Sequence, residues 1–412
     1  MALPRLAARS WSRALRSAPA AAAAALSADS RLLRDFVLDS LYNARSGYFG
    51  APGSTVVGVL PEPLNFQRMV DRAAYSAAVA AAYTTGAGRS WFTPSELFKP
   101  LYSTGLARFV LTRWRQQGSG EALRVYEVGG GSGTNARCFL DAVQRLSPKV
   151  YATMRYTNIE ISAPLAEAQR TACARHAPAH AVVHHDAALA AAWGDSDNAP
   201  CFVLALEVLD NLPHDRVVRD EAGWKETLVG GIVGDTRLRE ELQPVADHLI
   251  ARCLDIYTRH AKDSGGSWLA RRWKRLRHSN DIVFLPTHCL LLLETLAAAR
   301  PRHVLIAADF DALPGVRIAG VNAPLVAAHA GIDHDTYLDA KQGEADILFP
   351  TDFGLLQAMR SSVSPGSAGG EVWHNAAFFR QFLEPHELRE ATTASGFTPL
   401  LHEFENTRVF VG

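Results

Sequence analysis

Acidic residues are missing from the first 28 positions: Met1 to Ala28 contains no Asp or Glu. Arg5, Arg9, Arg13 and Arg16 recur there at spacings of four, four and three, which on a helix is one basic stripe. Leu3, Trp11 and Leu15 fall towards the other side, and Ser10, Ser12 and Ser17 supply hydroxyls. This composition predicts a mitochondrial transit peptide over residues 1–30. A chloroplast address and a disordered Ala-rich tail are the alternatives. A secretory signal is excluded, since no compact Leu-rich core precedes a cleavage site.

Other absences narrow the class. No apolar run approaches the roughly 20 residues that span a bilayer, so no transmembrane segment is expected. The 42 basic and 42 acidic residues cancel, which argues against a nucleic-acid-binding surface over the whole protein. Cys138, Cys173, Cys201, Cys253 and Cys289 form no CxxC and no short Cys/His cluster. They read as buried thiols in a reducing compartment, and no metal site is expected.

What is present begins at residues 123–128, LRVYEV, a short buried strand. It runs into Gly129, Gly130, Gly131, Ser132 and Gly133, and then into TNARCFLDAVQRL, where Ala136, Phe139, Leu140, Val143 and Leu146 share one helical face. A glycine-rich turn between a strand and a helix is a ligand cradle, because glycine permits positive φ and close approach to the backbone. The spacing narrows the ligand. From Gly129 the dinucleotide pattern GxGxxG fails at Thr134. From Gly131 only its relaxed form, closing on Ala136, fits. No Gly-Lys-Ser/Thr follows, so it is not a P-loop. An acid followed by GxGxG, here Glu127 with Gly129, Gly131 and Gly133, resembles motif I of class I methyltransferases. That resemblance implies S-adenosylmethionine as cofactor, with Thr134 beside it.

Three further strands carry acids near their ends. Residues 155–161, RYTNIEI, close on Glu160, placed to take two ribose hydroxyls with its two oxygens. Ser162 is a helix N-cap and Pro164 lies in the first turn. Residues 181–193 give a third strand ending near Asp186, either an adenine contact or a loop polar residue. Residues 201–218, CFVLALEVLDNLPHDRVV, begin as a buried strand and place Glu207 and Asp210 beyond it. In an open α/β sheet such strand ends face the ligand crevice.

Across most of its length the chain resembles the MidA-like family, which includes a mitochondrial protein arginine methyltransferase that acts in respiratory complex I assembly. The resemblance lies in LYNARSGYFG (41–50), FTPSELFKPL (92–101), VYEVGGGSGT, IEISAPLAEAQ, LEVLDNLP and GWKETLVG (223–230), in the family's order. It implies S-adenosylmethionine-dependent methylation of a protein arginine, with a complex I subunit as partner. Glu207 and Asp210 are the catalytic candidates, since two carboxylates can fork a guanidinium and aim one nitrogen at the methyl group. Alternatively Asp210 caps the following turn and Glu207 touches the cofactor. Three positions depart from the family pattern. Leu206 stands where it has Asn, Pro94-Ser95-Glu96 where it has Ser-Pro-Glu, and AADFDALPG (307–315) keeps Asp309 without the following Tyr-Gly. These substitutions leave open a protein that binds the cofactor and assists assembly without turnover.

The expected fold is therefore α/β: a class I methyltransferase, Rossmann-like sheet over residues 121–412, with a helical N-terminal cap over 31–120. Insertions are expected at about 214–285 and 311–375. A hairpin is expected around Ala222-Gly223, helices over 236–262 and 286–299, and a fifth strand over 303–310. Two β-rich runs flanking Glu405-Asn406 are expected to close the sheet.

Overall fold

The computed structural model describes residues 29–54, 56–85, 91–118, 120–231, 237–263, 282–328, 333–365 and 369–412. Apart from its last two residues, the expected transit peptide lies outside the described residues. The strands are β1 Arg31–Leu32, β2 Arg124–Val128, β3 Arg155–Glu160, β4 His180–His184, β5 Cys201–Leu206, β6 Asp215–Asp220 and β7 Gly223–Gly231. They continue as β8 Leu238–Pro244, β9 Ile282–Leu285, β10 His303–Phe310, β11 Leu325–Ala328, β12 Ala345–Leu348, β13 Glu371–His374 and β14 Thr407–Val411. The principal helices are α1 Leu33–Tyr42, α2 Arg72–Thr85, α3 Pro94–Leu97, α4 Leu101–Gln117, α5 Thr134–Leu146, α6 Pro148–Tyr151, α7 Ala163–Ala172, α8 His248–Asp263, α9 Thr287–Ala299 and α10 Phe353–Val363.

Seven strands form the main sheet in the order β13-β14-β10-β5-β2-β3-β4. The five from β10 to β4 are parallel, and β14 runs antiparallel to both β10 and β13. The apolar runs CFVLAL and HVLIAA make these strands because both faces of the sheet are covered. Side chains alternate between two cores. Phe202, Leu204, Ile306 and Val409 join one with α4 and α5, while Val203, Ala205, Leu305, Ala307 and Phe410 join the other with α8, α9 and α10. The order reverses between β2 and β5, and a crevice opens at the carboxyl ends of the strands at such a switch point.

A second, antiparallel sheet has the order β1-β7-β6-β9, with β8 paired to β7. Helix α1 packs on it through Leu33, Phe36, Val37 and Leu41, in a cluster that also holds Val229, Phe284, Val326 and Ile347. The start of the chain and both expected insertions thus meet in one layer. Arg34 fixes the join, donating to Asp215 Oδ2 at 2.8 Å and to Asp247 Oδ2 at 2.6 Å.

Several expectations need correction. Residues 238–244 form β8, not helix, because they pair residue by residue with Lys225 to Gly231 of β7. Residues 399–402 are a short helix, and the antiparallel partner of β14 is β13, which lies inside the expected 311–375 insertion. Helix α10 of the same segment buries Leu355, Leu356 and Met359 in the main core. Helix α4, in the expected cap, shares its core with β2 and β5. The hairpin β6–β7 turns at Glu221-Ala222, beside the expected position.

Candidate active site

One cavity of about 720 Å³ opens over the carboxyl ends of β2, β3 and β5. Glu127, Gly129, Gly131, Thr134, Glu160, Asp186, Glu207 and Asp210 all line it. Gly133 and Ser162 do not.

At the end of β2 the glycines do different jobs. Gly131 has φ +53°, and a Cβ there would meet only Val57 at 3.6 Å, so its backbone faces open cavity. Gly133 has φ +82°, and a Cβ there would press on Gln169 Cα at 2.9 Å. Its lack of a side chain permits the close packing of α5 on α7. Glu127 is buried beneath the loop. Oε1 accepts from Asn135 at 2.8 Å, and Oε2 accepts from Tyr156 and Asn158 at 2.9 Å each. Burial raises its pKa against the pull of these three donors. It braces the turn, with few lone pairs left over for a ligand.

Glu160 ends β3 with Oε1 on the Ser162 N–H at 2.9 Å and Oε2 on Gln169 Nε2 at 2.7 Å. Burial pushes its pKa up to about 7. Gln169 also donates to the Gly131 carbonyl at 3.0 Å and so fastens the acid to the glycine turn. Gln169 was missed at the sequence level, although it closes the IEISAPLAEAQ motif. Ser162 caps α7 as expected, accepting from the Leu165 N–H, and its hydroxyl donates to the Phe49 carbonyl at 2.7 Å. It connects this motif to the N-terminal region and does not itself line the cavity. The Thr134 hydroxyl donates to Glu96 Oε2 at 2.5 Å. Strand β4 stops at His184, leaving Asp186 in the loop that follows. Asp186 accepts from the Ala188 N–H at 2.8 Å and lies 3.2 Å from His288 Nε2. Burial would raise its pKa, but His288 and that N–H hold it below the usual carboxylate range.

Beyond β5 the environment changes. Glu207 sits at φ +51°, a strained backbone for a non-glycine residue. The residue is open to the cavity, yet its Oε1 is buried without a hydrogen-bond partner. Asp210 Oδ1 is buried and unpartnered in the same way. Desolvation first, then the charge of Asp309, pushes Glu207 well above the usual range. Asp210 rises likewise from desolvation and from Asp309, Glu207 and Asp346. Asp309 makes the strain possible. Its Oδ2 takes the Asp210 N–H at 3.1 Å and its Oδ1 the Phe310 N–H at 2.7 Å, folding the 207–210 turn onto β10. Asp346, on β12, also lines the cavity and accepts from Asn211 at 2.7 Å. Its contribution carried no sequence signal, because it arrives from a separate hairpin. Tyr75, Tyr83, Phe92, Phe310 and Phe404 wall the same space.

The donor set fits S-adenosylmethionine. A glycine turn with one face open lies beside a buried carboxylate at the end of the next strand, and unpartnered acid oxygens lie across the cavity. Among the described residues no group of three or more His, Cys, Asp or Glu is placed to hold a metal ion. All five cysteines are free and buried. No described helix is long and apolar enough to cross a membrane.

Sheet order, switch-point cavity and glycine turn together define a class I S-adenosylmethionine-dependent methyltransferase. Residues 105–366 match the family described as "Putative S-adenosyl-L-methionine-dependent methyltransferase", and the chain belongs to that family, the one its MidA-like motifs resemble. S-adenosylmethionine is its cofactor. A Burkholderia thailandensis protein bound to S-adenosyl-homocysteine superposes with TM-score 0.60 at 18% identity, covering 93% of this chain and 87% of its own. A native structure of an uncharacterized protein from the same organism and superfamily gives 0.57 at 17% identity, with the same coverage. At these identities the likeness is one of fold. No curated protein matches the sequence.

Proposed function

We propose that this methyltransferase acts on an arginine side chain of a protein, with a respiratory complex I subunit as acceptor, in the mitochondrial matrix after removal of residues 1–30. The observation that carries the acceptor class is the pair of buried, unpartnered oxygens, Glu207 Oε1 and Asp210 Oδ1, in an aromatic-walled cavity. A buried acceptor without a donor is costly and seeks one. A guanidinium offers five N–H donors and a positive charge that aromatic faces also attract. The resemblance of the motifs to MidA-like proteins supports arginine and complex I, and the acid-free Arg stripe supports the matrix.

When bound, S-adenosylmethionine supplies an electrophilic methyl group. Gly129 and Gly131 would lie under it, Glu160 would take ribose hydroxyls and Asp186 the adenine side. Glu207 and Asp210 hold the acceptor cation and orient one nitrogen, and that positioning supplies much of the rate. Burial and the neighbouring carboxyls raise the pKa of both acids and so favour their neutral forms. An entering guanidinium favours their charged forms, so each proton released on binding leaves a carboxylate able to accept the proton the acceptor nitrogen loses.

A second reading, a cofactor-binding assembly protein without turnover, is favoured by Leu206, an apolar wall beside Glu207 where the family has Asn. Mass spectrometry of complex I arginines in a null strain restored with wild type or Glu207→Gln separates the two. Methylation restored only by wild type supports the enzyme. Methylation unchanged in the null strain overturns it, and assembly rescued by Glu207→Gln favours the second reading.

A further inference from the structure

The motif FTPSELFKPL lends Phe92 to the cavity wall and also carries a fully buried ion pair. Glu96 and Lys99 are 1% and 6% exposed. Glu96 Oε1 accepts from Lys99 Nζ and from the Leu60 N–H at 2.7 Å, and Lys99 Nζ also donates to the Leu60 carbonyl at 2.5 Å. Glu96 Oε2 accepts from the Thr134 hydroxyl at 2.5 Å. Thr134 is the first residue of α5, directly after the glycine turn, and its hydroxyl lies 3.1 Å from that of Ser132. One carboxylate thus joins three pieces of chain distant in sequence: the 56–66 loop, α3 and the turn beneath the cofactor. The residues on either side of the clasp, Val57 and Thr93 to Ser95, line the cavity. A second tie joins the same regions on the ribose side, where the Ser162 hydroxyl reaches Phe49.

We infer that Glu96, held by Lys99, is a positioning residue that acts through the Thr134 hydroxyl to set the glycine turn, so that seating of the N-terminal cap determines cofactor affinity. A buried pair of this kind adds little net stability compared with apolar packing, and its directional bonds suit it to fixing geometry. Each Glu96 oxygen is engaged, and among the described residues the bond from the Thr134 hydroxyl is the hydrogen bond that joins this pair to the segment Gly129–Thr134. The alternative, that Thr134 touches the cofactor directly, assigns the hydroxyl to the cavity rather than to Glu96. The inference rests on the S-adenosylmethionine reading of the site.

The test compares Thr134→Val, which keeps the shape and removes the hydroxyl, with Thr134→Ser, which keeps the hydroxyl. S-adenosylhomocysteine is titrated calorimetrically into each, and amide hydrogen exchange of residues 129–133 is followed in the ligand-free protein. Thr134→Val is expected to bind about tenfold more weakly, as for one lost charge-assisted bond, and to exchange faster in the turn. Thr134→Ser should restore both. The double variant Glu96→Gln/Thr134→Val should bind no more weakly than Glu96→Gln, because both changes break one link. Wild-type affinity in Thr134→Val, unchanged exchange in the turn, or additive losses in the double variant would overturn the inference alone. Failure of the wild type to bind would overturn the cofactor reading and this inference together.

Discussion

The two ends of the cavity are built on opposite plans. At the cofactor end both Glu127 oxygens and both Glu160 oxygens already accept hydrogen bonds, and Gln169 ties Glu160 to the glycine turn. At the proposed acceptor end Glu207 and Asp210 keep unpartnered oxygens and share their space with Asp309 and Asp346, and Glu207 rests on a strained backbone. The first end is preorganised for a ligand of fixed shape. The second stores unfavourable energy that a cation can relieve, which is where active sites commonly sacrifice stability.

The largest expected effect breaks the second end. Glu207→Gln should lower methyl transfer about 100-fold or more, as when one transition-state partner is removed, while affinity for S-adenosylmethionine stays within about threefold. Single-turnover rates with saturating cofactor measure it. The next breaks the first end. Gly131→Val puts a branched side chain where only Val57 stands nearby, so the protein should fold, at a cost of about 1–2 kcal/mol for the positive φ, yet lose cofactor affinity by about 30-fold or more. Equilibrium binding of S-adenosylhomocysteine reports it.

A smaller effect sharpens the contrast through pH. Glu160 titrates at about 7 in the empty cavity, and ribose hydroxyls favour its charged form. Cofactor affinity should therefore rise with pH up to about 7 and level off above, by at most about tenfold per pH unit. Glu160→Gln should bind weakly with a flat profile.

The smallest effect concerns stability. Burial pushes Asp309 and Asp346 up to about 7 and raises Glu207 and Asp210 well above the usual carboxylate range, so the folded protein keeps protons that the unfolded chain has released. Stability then falls as pH rises towards and through the folded values. Below about pH 6.5 the buried neutral histidines His180, His214 and His303 oppose this, because the unfolded chain protonates them. Above that pH the carboxyls act alone, and Tm should fall by a few degrees between pH 6.5 and 8. Glu207→Gln should shrink the fall, and scanning calorimetry across buffers would show it.

The same contrast explains what the sequence made legible. The parallel core strands, the glycine turn, Glu160 and the Ser162 cap rest on local patterns: apolar runs, turn chemistry and an N-cap. Glu207 and Asp210 were readable as acids at a strand end, but not the strain or the missing donors, which depend on Asp309 coming from β10. Residues 238–244 read as helix because Leu238 and Leu242, four apart in a short polar window, fit either period, and pairing with β7 decided the matter. Thr134 and Ser162 sit in the right motifs, but their hydroxyls turn towards Glu96 and Phe49, contacts made by chain 38 and 113 residues away. Asp346 and the links from Glu96 and Lys99 to Leu60 and Thr134 are set by tertiary folding, although the two charged residues themselves stand three apart in one motif.

The central claim is that one cavity holds a cofactor end and a chemically distinct acceptor end. Calorimetric titration of S-adenosylhomocysteine into wild type, Gly131→Val and Glu207→Gln tests it most directly. The account predicts one site in wild type, nearly unchanged affinity in Glu207→Gln and loss of binding in Gly131→Val. Equal loss in both variants, or undiminished binding in Gly131→Val, would contradict it.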